Sequence, residues 1–126
     1  MTWAWGRRSM QVRSEISIDL VLCVDQVLAW SPFDLALTEG YRGERKQDEH
    51  YAAGRSDLKF PLSNHNVMPS RAVHIDPYPI DYKNTERYFV LAGMMIAAGK
   101  LHEVKLRWLG LTSLRDYAHW ELKEKA

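Results

Sequence analysis

The sequence predicts a single α+β domain over residues 1–126, with a small antiparallel sheet and flanking helices. Two observations support this fold class. Apolar residues recur at helical spacing in two long segments, whereas three short segments alternate apolar and polar residues as half-buried strands do. These segments do not follow a repeating βαβ order, so a parallel α/β sheet is not expected.

The first quarter of the chain is predicted to be helical. Residues 7–15 are polar and suit one or two helical turns before a longer amphipathic helix. Ser17 is the expected N-cap of that second helix, and Ser31-Pro32 ends it. Its apolar face consists of Leu20, Val21, Val24, Val27 and Leu28.

The next segment is predicted to hold a strand, a charged helix and a loop. Residues 33–41 alternate apolar and polar side chains, and the helix over 43–53 is closed by Gly54. A polar connection over 55–62 then leads to a stretch over 63–79, which its prolines mark as a loop. Those prolines are Pro69, Pro77 and Pro79.

One helix and two strands are predicted towards the C-terminus. The helix runs from Thr85 to Ala98, with Asn84 as its cap and Gly99 just past its end. Its apolar arc is so wide that we expect it to be nearly all buried, with one face formed by Phe89, Ala92, Gly93, Ile96 and Ala97. Strands follow at 104–109 and 118–122, joined by a short loop.

Composition excludes several classes of partner. Seventeen basic and 16 acidic residues leave a formal charge of +1, and no block of one sign predicts binding to nucleic acid. No apolar run approaches the roughly 18 residues of a membrane span, so we expect no stable membrane insertion. The single cysteine, Cys23, lies in an apolar helical stretch and excludes an internal disulfide. The N-terminus has no pattern of a secretory signal, so we expect synthesis in a cytoplasm.

Three histidines and one aspartate form the candidate chemical site. His65, His74 and His119 match the three protein ligands of a catalytic zinc, which keeps a fourth position for water or substrate. Asp116, three residues before His119, is a candidate general base for a metal-bound water. Taken singly, each histidine also fits a surface or structural role and Asp116 fits a turn cap, so spacing alone leaves both interpretations open. His50 and His102 are interpreted as solvated surface residues.

The chain resembles the phage-type L-alanyl-D-glutamate endopeptidases, relatives of the D-alanyl-D-alanine carboxypeptidases and dipeptidases that cleave peptide stems of bacterial peptidoglycan. The likeness covers nearly the whole chain. It is carried by Trp5-Gly6-Arg7-Arg8-Ser9, Ser31-Pro32-Phe33-Asp34-Leu35, Glu39-Gly40-Tyr41-Arg42, Ser63-x-His65-Asn66, Pro69-Ser70-Arg71-Ala72-Val73, Pro77-Tyr78-Pro79-Ile80-Asp81, Arg107-Trp108 and Asp116-x-x-His119-Trp120-Glu121-Leu122.

The resemblance implies a role for each matching residue. His65 and His119 correspond to two histidine ligands of one zinc ion in a cleft, and Asp116 to the carboxylate that acts as general base. Arg42 corresponds to an arginine that steadies a substrate carboxylate or the oxyanion, a task suited to a permanent charge. Ser63 stands beside the first ligand, and we expect it to support substrate or ligand.

The chain departs from the family pattern at two places. Where the family has an aspartate ligand, this sequence has His74, with Asp76 two residues further on as the alternative ligand. We favour His74, which keeps the register to Pro77. The segment over 109–115 has only seven residues, so one wall of the substrate cleft is expected to be missing or rebuilt.

Together these features predict a zinc metallopeptidase that acts as a phage endolysin on the L-alanyl-D-glutamate bond of the peptidoglycan stem. The alternatives are a D-alanyl-D-alanine carboxypeptidase or dipeptidase, and a non-catalytic wall-binding module of the same fold. We expect a monomer that is made in the host cytoplasm. It would reach the cell wall after release by a separate holin-like protein.

Overall fold

Four α-helices and one four-stranded sheet form residues 2–123 of the computed structural model, which are the residues the structure describes. The helices are α1 (Arg7–Arg13), α2 (Ile18–Trp30), α3 (Glu44–Ala52) and α4 (Thr85–Leu101), and the strands are β1 (Leu35–Glu39), β2 (Ala72–Pro77), β3 (Leu106–Trp108) and β4 (His119–Leu122). Short 3-10 turns lie at Asn64–Asn66 and Leu109–Leu111. The α+β class predicted from the sequence is confirmed.

The sheet is antiparallel throughout, in the order β1-β2-β4-β3. Its two central strands are therefore β2 and β4. Their register places His74 directly opposite His119, and Glu39 at the end of β1 opposite His74. Residues far apart in sequence thus meet in one row across the sheet.

The hydrophobic core lies between the sheet and the pair formed by α2 and α4. Val73 and Ile75 are fully buried in it, together with the apolar face of α2. Because side chains alternate along a strand, His74 and Asp76 point to the other face of β2. The core therefore fixes the strand from one face and leaves the other face for polar side chains.

Most predicted elements are present, and several begin or end one to three residues from the predicted positions. Ser17 caps α2 by accepting a hydrogen bond from the Asp19 amide at 3.3 Å. Gly54 has φ +76°, the left-handed conformation expected just after α3. Cys23 is fully buried and free, as predicted for a small apolar side chain.

The prediction of a loop over the whole of residues 63–79 is wrong, because Ala72–Pro77 forms the central strand β2. The loop prediction rested on the prolines, although Val73 and Ile75 alternate with His74 and Asp76 as in a half-buried strand. Pro77 is tolerated because it is the last residue of β2, where the chain leaves the ladder. The next amide, that of Tyr78, donates to the Asp34 carbonyl at 2.8 Å.

The C-terminal end of the long helix was also predicted wrongly. Gly99 lies inside α4, which continues to Leu101. A Cβ at position 99 would lie 2.9 Å from the Val104 carbonyl oxygen. The glycine is therefore explained by the close return of the chain and not by a helix stop.

The expected burial of α4 is wrong as well. Its buried residues are Tyr88, Leu91, Ala92, Met95, Ala98 and Gly99. Phe89 and Ile96, which were assigned to the core face, are 49% and 51% exposed. Apolar residues surround this helix on every side, so periodicity could not identify the face that packs against α2.

Within residues 2–123, no helix is both long and apolar enough to cross a membrane. The prediction of a single domain over 1–126 extends beyond the described residues at Met1 and at 124–126, and it stays a prediction.

Candidate metal centre

The three predicted histidines come from three separate elements and meet at one point. His65 lies in the first 3-10 turn, His74 in β2 and His119 in β4. Cross-strand pairing brings the last two together. His65 reaches them because its turn is fixed at both ends: Ser63 caps it, and the Arg42 amide donates to the His65 carbonyl at 2.7 Å.

One nitrogen of each ring points into a common centre. Nδ1 of His119 lies 3.2 Å from Nε2 of His65 and 3.2 Å from Nε2 of His74. All three nitrogens lie within 4.8 Å of one another. Two ligands about 2.0 Å from a tetrahedral zinc would stand about 3.3 Å apart, so the spacing suits a metal ion.

The outward nitrogens of two of these rings are held by acceptors. Nδ1 of His65 lies 2.6 Å from the Gly40 carbonyl oxygen, and Nε2 of His119 lies 2.7 Å from Oε1 of Glu121. Each outward nitrogen therefore carries the proton of a neutral ring and donates it, which leaves a lone pair on the inward nitrogen. Two lone pairs that face each other across 3.2 Å repel unless a cation lies between them. The donor set thus fits a bound metal ion.

Burial keeps two of the rings neutral. It holds the pKa of His65 well below its ordinary value, and the nearby His74, His119 and Arg42 act in the same direction. Burial also lowers the pKa of His119, against the opposing hydrogen bond to Glu121. Neutral imidazole is the form that binds metal, so these rings are ready to act as ligands.

Asp116 lies at the edge of the histidine cluster. Its Oδ2 is 3.4 Å from Nε2 of His74 and 4.0 Å from Nδ1 of His119. Burial alone would raise the pKa of Asp116, but the hydrogen bond from His74 holds that pKa below its ordinary value. The carboxylate is therefore ionised at neutral pH and lies beside the centre.

Asp76, the alternative ligand, lies outside the cluster. Its Oδ2 accepts a hydrogen bond from the Thr38 hydroxyl at 2.7 Å, and its Oδ1 accepts one from the Tyr88 hydroxyl. The side chain is 1% exposed. Both carboxylate oxygens thus serve to fasten α4 and β1 to β2.

Arg42 and Ser63 are both buried and both line the cleft beside the histidines. The Arg42 guanidinium donates to Glu39 and, at 2.8 Å, to Gln47. The Ser63 hydroxyl accepts from the His65 amide at 3.2 Å. In this structure Ser63 therefore positions the turn that carries His65.

The cleft has a volume of about 260 Å³ and contains Asp116, His65 and His119 along its lining. The short segment after Trp108 supplies part of its wall through Leu109, Thr112, Ser113 and Leu114.

Two glutamates that the sequence analysis did not assign complete the surroundings of the histidines. Glu121 accepts from His119, and Oε1 of Glu39 lies 4.0 Å from Nδ1 of His74. Glu121 could have been found, because residues two apart on a strand share a face. Glu39 could not, since it depends on how β1 pairs with β2.

His50 and His102 lie outside the cluster, as predicted, although both are only partly exposed. The His102 ring contacts Oε1 of Gln26 at 3.1 Å.

Three converging imidazole nitrogens beside a carboxylate are an arrangement that metal-dependent hydrolases use. The chain belongs to the phage L-alanyl-D-glutamate peptidase family, whose sequence model matches residues 1–122. A comparison with curated proteins finds no match.

Among solved structures, the fold resembles that of the Serratia marcescens L-Ala D-Glu endopeptidase ChiX. The TM-score is 0.81 at 23% sequence identity, over 95% of this chain and 90% of that chain. The resemblance to the endopeptidase family inferred from the sequence motifs is confirmed by the family match.

Proposed function

We propose that this chain is a zinc-dependent phage endolysin that hydrolyses the L-alanyl-D-glutamate bond in the peptide stem of peptidoglycan. The observation that carries the proposal is the convergence of three imidazole nitrogens beside Asp116 in an open cleft. Family membership supplies the class of reaction and the bond.

In this proposal His65, His74 and His119 hold the metal. The alternative with Asp76 is disfavoured because both oxygens of that carboxylate accept hydrogen bonds from Thr38 and Tyr88. A histidine in place of the family's aspartate adds one unit of positive charge to the ligand set. Glu39 and Glu121, which lie beyond His74 and His119, are placed to offset that charge.

Zinc and Asp116 have separate roles in the proposed hydrolysis. When bound, zinc supplies a Lewis acid for the scissile carbonyl and lowers the pKa of a water molecule. Asp116 accepts the proton of the attacking water and transfers it to the leaving amine. Asp116 suits the first step because an aspartate carboxylate is ionised at neutral pH, and it suits the second because it lies at the edge of the open cleft.

Arg42 and Ser63 are assigned supporting roles. Arg42 keeps its charge at every accessible pH and lines the cleft, so it offsets negative charge that develops on the carbonyl oxygen. Its hydrogen bonds to Glu39 and Gln47 hold the guanidinium in one orientation. Ser63 acts through the turn that it caps, by keeping His65 in place.

The decisive experiment combines metal analysis with defined stem peptides. Purified protein with one equivalent of zinc is incubated with L-Ala-γ-D-Glu-L-Lys and with a pentapeptide that ends in D-Ala-D-Ala, and the fragments are identified by mass. We expect release of free alanine from the first peptide, loss of activity with a chelator, and recovery with zinc. Cleavage at the D-Ala-D-Ala bond alone would contradict the proposed substrate.

Asp116 is tested in the same assay with an isosteric variant. Asp116→Asn should retain zinc and lose activity by about a hundredfold or more, the range of general acid-base catalysis. Asp57→Asn is the matched control, because Asp57 is an exposed carboxylate that lines the same cleft. Equal activity of the wild type and the Asp116 variant would exclude Asp116 as the base.

The route to the wall belongs to the proposal too. As an endolysin, the protein acts as a monomer and depends on a separate holin-like protein for release across the inner membrane. Lysis of cells that express it only when a holin is co-expressed would support this dependence, and equal lysis without a holin would contradict it.

A further inference from the structure

The cleft beside the histidine cluster is lined by three arginines, and only some of them are free to contact a ligand. They are Arg42, Arg55 and Arg107. Arg42 is 5% exposed, and both of its terminal nitrogens already donate to Glu39 and Gln47. Arg55 follows α3 in an irregular connection, and its Nε lies 3.4 Å from Nδ1 of His50.

Arg107 differs from the other two in being both accessible and held on the sheet. It is the middle residue of β3 and pairs in register with Glu121 of β4. Its side chain is 55% exposed, and its Nη1 lies 3.5 Å from Oε2 of Glu121. That distance is longer than an N–H···O hydrogen bond of about 2.9 Å, so the N–H donors of the guanidinium remain available.

The position of Arg107 relates it directly to the candidate metal centre. The other carboxylate oxygen of Glu121 lies 2.7 Å from Nε2 of His119, so Arg107 stands one side chain away from a proposed ligand. Arg107 also lines the same cleft as Asp116 and His119, so a group of the substrate could reach it from there. The substrate is the source of such a group that the proposed function suggests.

The proposed substrate carries an anionic group close to the scissile bond. In a peptidoglycan stem, D-glutamate continues the chain through its γ-carboxyl group, so its α-carboxyl group is a side branch. That group is joined to the Cα next to the scissile nitrogen, within about 4 Å of the scissile carbonyl carbon by standard bond lengths. It is either a free carboxylate or, in amidated stems, a neutral carboxamide.

We infer that Arg107 binds the α-carboxylate of the D-glutamate residue and makes the enzyme prefer free-acid stems over α-amidated stems. A guanidinium forms paired, charge-assisted hydrogen bonds with a carboxylate, whereas a carboxamide offers one acceptor and no charge. This inference rests on the proposed function, since it concerns the residue on the leaving side of the same bond.

The test compares kcat/KM of the zinc-loaded protein for L-Ala-γ-D-Glu-L-Lys and for the same peptide with an α-carboxamide. The wild type should prefer the acid by about tenfold or more, the size of one charged hydrogen bond. Arg107→Met should reduce kcat/KM for the free-acid peptide to the value for the amidated peptide. It should leave kcat/KM for the amidated peptide nearly unchanged. Arg107→Lys, which keeps the charge but not the paired donors, should retain part of the preference.

Three results would overturn the inference. Equal rates of the wild type on both peptides would show that the α-carboxylate is not recognised. An equal loss on both peptides in Arg107→Met would show that Arg107 acts only through Glu121 and His119. Loss of the preference in Arg55→Met, with the preference intact in Arg107→Met, would assign the carboxylate to the other exposed arginine of the cleft.

The proposed function is judged separately in the same experiment. If the wild type cleaves neither peptide with zinc present, the proposed function fails and the inference falls with it. Cleavage of both peptides at equal rates leaves the proposed function intact and removes only the role of Arg107.

Discussion

Nε2 of His119 lies 2.7 Å from Oε1 of Glu121, two residues further along the same strand. This contact fixes the tautomer of the ring and turns Nδ1 towards His65 and His74. Burial would raise the pKa of Glu121, but the hydrogen bond from His119 and the nearby charge of Arg107 hold that pKa below its ordinary value. A carboxylate that accepts a hydrogen bond from a histidine makes that histidine a stronger metal ligand.

Glu121→Gln should weaken zinc binding by about tenfold to a hundredfold without unfolding the protein. The amide can still accept a hydrogen bond from His119, but it brings no negative charge. Competition with a chromogenic chelator measures the affinity, and circular dichroism checks the fold. Glu49→Gln serves as the control, because Glu49 is exposed on α3. Equal affinity of the two variants would exclude Glu121 as a positioning residue for His119.

His74→Ala and Asp76→Ala should separate metal binding from stability. The first should release zinc readily, because it removes one of the three converging nitrogens. The second should keep the metal but lower the free energy of unfolding by about 1–3 kcal/mol, since it leaves the buried Tyr88 hydroxyl without its acceptor. Zinc titration and urea denaturation measure the two effects. The reverse order in the titration would transfer the ligand role to Asp76.

The ion pair between Asp25 and Arg13 predicts a loss of stability in acid. The hydrogen bond from Arg13, at 2.6 Å, lowers the pKa of Asp25 below its ordinary value. A lowered pKa contributes stability above the unfolded-state pKa, and this contribution is lost as the pH falls through the folded-state pKa. Asp25→Asn should therefore lower the free energy of unfolding by at most about 1 kcal/mol at neutral pH, because the pair is partly exposed. This loss should become smaller below about pH 4.

Urea denaturation at pH 7 and near pH 3 tests this dependence, with Asp48→Asn on exposed helix α3 as the control. A cost of Asp25→Asn that is the same at both pH values would show that the charge of Asp25 contributes nothing.

Replacing each of two glycines of α4 with alanine should change the free energy of unfolding in opposite directions. At exposed Gly93 a Cβ would meet nothing within 4 Å, so Gly93→Ala should raise the free energy of unfolding by about 0.5–1 kcal/mol through helix propensity. At Gly99 the Cβ would lie 2.9 Å from the Val104 carbonyl oxygen, and Gly99→Ala should destabilise. Thermal unfolding of both variants isolates the clash, since the propensity gain is common to them. Stabilisation by both would refute the close contact.

Much of the fold could be predicted from local patterns. The periodicity of α2, its cap at Ser17 and the left-handed turn at Gly54 are all set by neighbours in sequence. The face of α4 could not be predicted, because its apolar residues surround the helix and only packing against α2 decides which are buried. Strand β2 was missed because the prolines at 69, 77 and 79 are typical of a loop, although the residues between them alternate.

Residue types and their spacing are enough to predict the candidate chemistry: three histidines, an aspartate three residues before the last of them, and a family resemblance that names the bond. The folded chain is needed to know which nitrogens face one another, that Asp76 accepts from Thr38 and Tyr88, and that Glu39 and Glu121 lie behind the rings. Residue type and local spacing can be read from the sequence directly. The distances within the site depend on the pairing of β1, β2 and β4, which joins residues far apart in the sequence.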